Sequence, residues 1–344
     1  QMMQLPIFNI LYADADKNIF YLYNGNIPER KCGDSNFWSG VVDGSKSEYI
    51  WTKIHPYMDL PKLLNPQTGF IQNCNDPPWT CAYPPILKKE AFPPYFATQY
   101  YMWRAQRATH MLIDAEKLSY EDLKRIKINT VMETAERFLD DLIKASEIYP
   151  DSALSPAISL LKNWDRTTDT DSRGSVLFAQ WFSKLNDGMF ETRWNPDSNI
   201  TTPDGFRDPC QAIRFLADAV KELTSMYGTF DITWGEIHRL RMKDFDLPAN
   251  GGPGEYGIFR TVNFAPDKDG KKFAVGGDTF FAVIEFSKPV HAECVLAYGN
   301  SSRNDSRHRG DQLELMVEKK FRPALTEQND IQMHLEKTEV LSYP

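Results

Sequence analysis

The long helical block in the middle of this chain most constrains its fold, because it lies between two stretches patterned as sheet. From Tyr95 to about Tyr227 apolar residues recur at helical spacing, whereas residues 7–30 and the chain after Pro248 are rich in strand formers. Elements segregated this way predict an α+β fold with a helical subdomain inserted between stretches of sheet. Three spans follow: a β-rich 1–94, a mainly helical 95–247, and a β-rich 248–344 that ends in a weakly packed tail after Arg322.

Local signals fill in the spans. Ile7, Ile10, Tyr12, Ile19, Tyr21 and Tyr23 predict a hairpin turning at Asp16-Lys17-Asn18. A first helix is expected over roughly Gln99 to Ile113, then one long helix capped by Ser119 and carrying Leu123, Ile126, Val131, Ala135, Leu139 and Leu142. Ser155-Pro156 and Asp208-Pro209 both read as a cap followed by a first-turn proline, and Ser172 as the cap of a further helix. Gly228 stops the helix that starts at Pro209. Asp269-Gly270 marks a hairpin between Phe259–Phe264 and Phe273–Val275. Thr279 to Phe286 reads as a buried strand, and Asn250-Gly251-Gly252-Pro253-Gly254 as a flexible turn without the Lys and Ser/Thr of a phosphate-binding loop.

Asn65 to Trp79 carries the strongest hint of chemistry. Phe70 and Ile71 read as the start of a short strand that Asn73-Cys74-Asn75-Asp76-Pro77-Pro78 cannot continue, since prolines lack donors and Asn and Asp prefer turns. A neutral amide is thereby delivered to the end of a strand, where it either satisfies turn backbone or donates an N–H to a developing anion.

Composition excludes several classes. Among 344 residues the net charge is −8 and no basic-aromatic stripe appears, which argues against nucleic acid. No apolar run reaches the length of a membrane span. The six histidines show no zinc-binding spacing, and no Ser/His/Asp motif of another peptidase class appears. Cys32, Cys74, Cys81, Cys210 and Cys294 are odd in number; Cys74 and Cys81 are close enough for a loop disulfide, and buried free thiols are the other reading.

Motifs in a fixed order then point to a family. Tyr12-Ala13-Asp14, Gly25-Asn26-Ile27-Pro28, Val42-Asp43-Gly44-Ser45, Asn65-Pro66…Gly69 and Asn73-Cys74-Asn75 come first. Trp103-Arg104-Ala105-Gln106-Arg107, Asn163-Trp164-Asp165, Trp234-Gly235-Glu236, Gly276-Gly277-Asp278 and His308…Asp311-Gln312 follow. Together they resemble the penicillin acylase (penicillin amidase) family of N-terminal-nucleophile hydrolases, along almost the whole chain. The forms at Val42–Ser45 and Gln72–Asn75 are most similar to the branch of acyl-homoserine lactone and aculeacin acylases.

The resemblance implies part of a four-layer αββα sandwich and an enzyme that cleaves a linear amide between an acyl chain and an amine. It implies that Asn75 donates to the oxyanion and that Arg104 holds the Asn75 amide, where a helix-surface pairing with Asp114 is the plain alternative. Trp164-Asp165, Asn73, Arg107 and His308 are given structural roles. Gln1 is an amide and no nucleophile, so the resemblance implies a chain that is the C-terminal part of a β-chain. Its nucleophile would lie upstream, and its partners would be the N-terminal part of that β-chain and an α-chain. A small-molecule amide is the implied substrate, and a periplasmic or secreted location goes with the family. No cofactor is implied for catalysis; several relatives bind a structural calcium, whose ligands no motif here identifies. A binding or assembly protein that kept the scaffold without the chemistry is the alternative function.

Overall fold

A computed structural model describes residues 8–98, 102–115, 117–242 and 245–342. Ile7 and the expected helix start at Gln99 lie outside them.

The N-terminal hairpin forms as its alternation predicts. Strand β1 (Phe8–Ala13) pairs antiparallel with β2 (Ile19–Asn24), and β2 pairs on its other side with β3 (Lys62–Leu64). Asp14 closes the turn by accepting the backbone N–H groups of Asp16 and Asn18, each at 2.9 Å, and Lys17 takes a left-handed φ of 68°. The strand expected at Phe70-Ile71 does not form. That stretch is irregular, held by side chains rather than by a ladder.

The middle of the chain is helical, with its breaks differently placed. Helix α1 covers Trp103–Ile113. The long helix expected after Ser119 is two: α2 (Tyr120–Lys127), which Ser119 and Asp122 cap reciprocally, and α3 (Glu133–Ile148). Between them the backbone is drawn into cross-chain bonds. Asn129 O accepts from Arg260 N–H (2.9 Å), Thr130 O from Thr168 N–H (3.0 Å), and Met132 N–H reaches Arg166 O (2.9 Å). A continuous helix would take these groups into its own bonds and leave the N–H of Arg260 and Thr168 and the Arg166 O without these partners. Helix α4 (Ser155–Lys162) starts at Ser155 itself, and α5 (Ser175–Phe182) starts later than Ser172. The Ser172 hydroxyl is engaged elsewhere, donating to Thr167 O (2.7 Å) and accepting from the Trp164 indole N–H (2.8 Å). Helix α6 (Pro209–Tyr227) follows its signals, from the Asp208 cap on Gln211 N–H to Gly228 at φ 78°.

These helices enclose the main core, in which Met132, Phe138, Leu142, Leu161, Trp181, Leu216 and Trp234 are all at most 1 % exposed. Within the span expected to be mainly helical, Phe190–Thr192 pairs antiparallel with Asp204–Phe206, and a larger sheet begins at β4 (His238–Met242) and β5 (Phe245–Pro248). With β6 (Val262–Pro266) and β7 (Lys272–Gly277) they order as β5-β4-β7-β6, with β4 and β7 parallel. A last sheet runs β8 (Phe280–Glu285), β9 (His291–Leu296), β10 (Arg322–Pro323). β8 is buried on one face only: Phe281 and Val283 face the core, while Phe280 and Ile284 are exposed. This corrects the buried strand: Phe281 and Val283 are its only buried side chains. Asn250 is not in a flexible turn either. It is 3 % exposed, and its amide donates to Met316 O and Val317 O. No helix among the described residues is long and apolar enough to cross a membrane.

Candidate active site

Asn75 sits at the tip of an irregular loop between β3 and the short turn Pro78–Thr80, which Pro77 and Pro78 open. The loop is tied across its base by Gln72 N–H to Cys81 O (2.8 Å). At its tip Asn73 Oδ1 accepts the Asn75 N–H (2.9 Å), and Asn73 Nδ2 donates to Asp76 O (3.1 Å). These are the turn bonds that short amides make. Asn75 itself is left-handed, with φ 69°, a conformation Asn tolerates better than most residues, and it is exposed.

Arg104 reaches this tip from the first turn of α1. One of its terminal nitrogens, Nη2, donates to Cys74 O at 2.7 Å and to Asn75 Oδ1 at 2.8 Å. Two charge-assisted bonds from one planar group fix both the backbone and the side chain of the loop tip. The alternative pairing with Asp114 is not formed. On its far side the guanidinium lies within 3.5 Å of Thr261 Oγ1 and against Gly254, where an added Cβ would stand 3.3 Å from Nε. Arg107, three residues on, turns instead to Asn129 Oδ1 (3.1 Å) and toward Glu133.

With Arg104 on the carbonyl oxygen of the Asn75 amide, Nδ2 is the end of that amide that can act as a donor. A cation on Oδ1 also withdraws electron density and strengthens the N–H groups as donors. Neither cysteine near the site is suited to attack. Cys74 and Cys81 are buried free thiols, both pushed up to about 12, chiefly by burial. The loop disulfide is therefore absent.

The other motif residues serve the scaffold. The buried Trp164 indole N–H is shared by Thr167 O (2.9 Å) and the Ser172 hydroxyl, and Asp165 accepts from Thr167. His308 pairs with Asp311 (2.9 Å) at the surface. Gln312 is buried and binds the N–H of Leu296, Arg322 Nε and Asn300 Oδ1, locking the last sheet. Among the described residues no group of three or more His, Cys, Asp or Glu is gathered as for a metal. Sequence reading missed Asp76, Thr261 and Gly254. Asp76 was legible only as a turn residue before proline, and the other two are distant in the chain.

Comparison with known proteins bears on what such a site is for. The penicillin amidase family model matches residues 1–333. An acyl-homoserine lactone acylase, PvdQ, of Pseudomonas syringae pv. tomato is 29 % identical over 350 residues, covering 92 % of this chain and 44 % of the relative. Aculeacin-A acylase of Actinoplanes utahensis is 24 % identical over 358 residues, covering 92 % and 45 %. The chain thus spans a little under half the length of these relatives. Among solved structures, a thermostable penicillin G acylase from Alcaligenes faecalis has the same fold, with a TM-score of 0.60 at 17 % identity, covering 98 % of this chain and 67 % of that one.

Proposed function

Because this chain belongs to the penicillin amidase family, we propose that it forms the oxyanion-stabilising part of an acylase that cleaves a linear amide between an acyl chain and an amine. The observation that carries the reading is the Arg104 clamp, which holds the carbonyl end of the Asn75 amide and so assigns its Nδ2 end the donor role. In amide hydrolysis negative charge develops on the substrate carbonyl oxygen, and a fixed neutral donor stabilises it without reorganising. In this reading the nucleophile, a hydroxyl or thiol activated by its own α-amine, comes from polypeptide outside these 344 residues. That polypeptide, with an α-chain, completes the αββα sandwich, and the assembled enzyme works in the periplasm or outside the cell. No cofactor takes part in the chemistry.

The forms of Val42–Ser45 and Gln72–Asn75, and relatives named as acyl-homoserine lactone and aculeacin-A acylases, support a substrate of that branch, which we read as a long-acyl amide. Each buried methylene contributes about 0.8 kcal/mol, so an acyl pocket gives a steep chain-length dependence. The test is amine release from a series of acyl amides by the complete enzyme; equal or better turnover of phenylacetyl than of C8–C12 amides would overturn the long-acyl assignment.

Arg104→Lys checks the clamp. The lysine side chain is shorter and its ammonium lacks the fixed planar fork that holds Cys74 O and Asn75 Oδ1 together. Loss of a charge-assisted hydrogen bond costs about 1.5–3 kcal/mol, so kcat should fall roughly ten- to a hundredfold with KM little changed. An unchanged kcat in the folded variant would remove Arg104 from the mechanism.

A further inference from the structure

The carboxyl group next to Asn75 has no part in the chemistry described so far. Asp76 is 3 % exposed and points into the protein beneath the loop tip. Burying a carboxyl is unfavourable unless its oxygens are satisfied, and here donors converge on both. Oδ1 accepts the Cys74 N–H at 2.5 Å. Oδ2 accepts from Gln72 Nε2 at 3.0 Å and meets the Thr80 hydroxyl. Gln72 also donates to Thr80 O (2.6 Å), so Gln72, Asp76 and Thr80 are joined in one largely buried network. Burial raises the Asp76 carboxyl above the usual carboxylate range, against these hydrogen bonds, which lower it.

The network acts on one residue, through the peptide units on either side of it. Cys74 gives its N–H to Asp76 and has its C=O held by Arg104, so the residue before Asn75 is pinned from both sides. On the other side, Asp76 O is held by Asn73, whose Oδ1 takes the Asn75 N–H. Asn75 is left-handed between these anchors, and the direction of its side chain is only as well fixed as they are. We propose that Asp76 is a positioning residue for amide hydrolysis: it holds the Cys74–Asn75 backbone where Arg104 can grip Cys74 O and Asn75 Oδ1 together. This rests on the reading of Asn75 as the oxyanion donor.

The test is a cycle in the complete enzyme: wild type, Asn75→Ala, Asp76→Ala and the double variant, with kcat, KM and thermal midpoint for each. Displacement of a catalytic group by about 1 Å costs on the order of a hundredfold. Asp76→Ala should therefore lower kcat about ten- to a hundredfold, with KM within about threefold of wild type. Since the effect passes through Asn75, the double variant should turn over within about threefold of Asn75→Ala alone, whereas independent effects multiply. If Asp76→Ala does not fold, Thr80→Val removes one partner at nearly constant volume; it should slow kcat in the wild type and do nothing further in the Asn75→Ala background. A slow Asn75→Ala beside an Asp76→Ala (or Thr80→Val) near wild-type rate, or multiplying effects, overturns the positioning role and leaves the site reading intact. An Asn75→Ala within about threefold of wild type overturns the site reading itself.

Discussion

Replacing Asn75 by alanine should lower kcat of the complete enzyme by about 10²–10³, or roughly 3–4 kcal/mol, because it deletes one preorganised donor to the oxyanion. The charge that this donor meets exists in the transition state and not in bound substrate, so KM should move far less than kcat. Asn75→Asp should be at least as slow. It would offer oxygens where the oxyanion needs hydrogen, and its carboxylate would be drawn onto Arg104 while repelling the developing charge. Asn73→Ala, by contrast, removes no donor to the oxyanion and leaves the Arg104 and Asp76 anchors in place, so it should act mainly on stability and lower kcat far less. Kinetics with one chromogenic amide on these three variants, each checked for folding, separates the roles.

The second large effect is on stability in acid. His238 is 4 % exposed, stacked on Trp234 with ring centroids 3.7 Å apart and edged by Phe264 at 4.7 Å. Its Nδ1 faces Trp234 O at 3.1 Å, so the neutral ring is satisfied there as a donor. Burial, then the charge of Lys272 opposite it in the sheet, lowers its pKa to about 3. From the ordinary 6.5 down to about 3 the unfolded chain therefore binds a proton that the native protein refuses. Stability is complete above pH 6.5 and is lost as the pH falls toward 3, by up to about 5 kcal/mol at 1.36 kcal/mol per pH unit. At pH 4 the loss should be about 3 kcal/mol. Urea unfolding at pH 7 and pH 4 of wild type and His238→Gln measures it. The glutamine variant, less stable at neutral pH, should lose less on acidification, since the carboxylates contribute equally to both. Equal losses would show that His238 does not set the acid limit.

What could be read from the sequence, and what could not, divides by distance along the chain. The hairpin at Asp14–Asn18, the Asp208 cap and the Gly228 stop depend on neighbours within a few residues, and they stand where their signals put them. The helix break at residues 128–132 was invisible, because Val131 and Ala135 continue the apolar periodicity. Only the pairing with residues 166–168 and 260 interrupts it. Asn75 and Arg104 were marked by motif, 29 residues apart, and their contact is present in the structure. Gly254 and Thr261, which back Arg104, carry no local sign of it, and the Asn250–Gly254 stretch looked mobile for the same reason. Its order comes from residues 316 and 317, far along the chain.

That dependence on remote segments sets when the site comes into being. Arg104 meets Asn75 across 29 residues but meets Thr261 across 157, and closing the longer loop is the slower event. During synthesis, the loop tip and α1 leave the ribosome well before the turn that braces the guanidinium. The amide is thus aimed last, after the helical core has a place for Gly254 to settle. In pulse-labelling hydrogen exchange the Cys74 N–H should gain protection together with β6, later than the backbone of α3; protection of Cys74 ahead of β6 would place the site's assembly early instead.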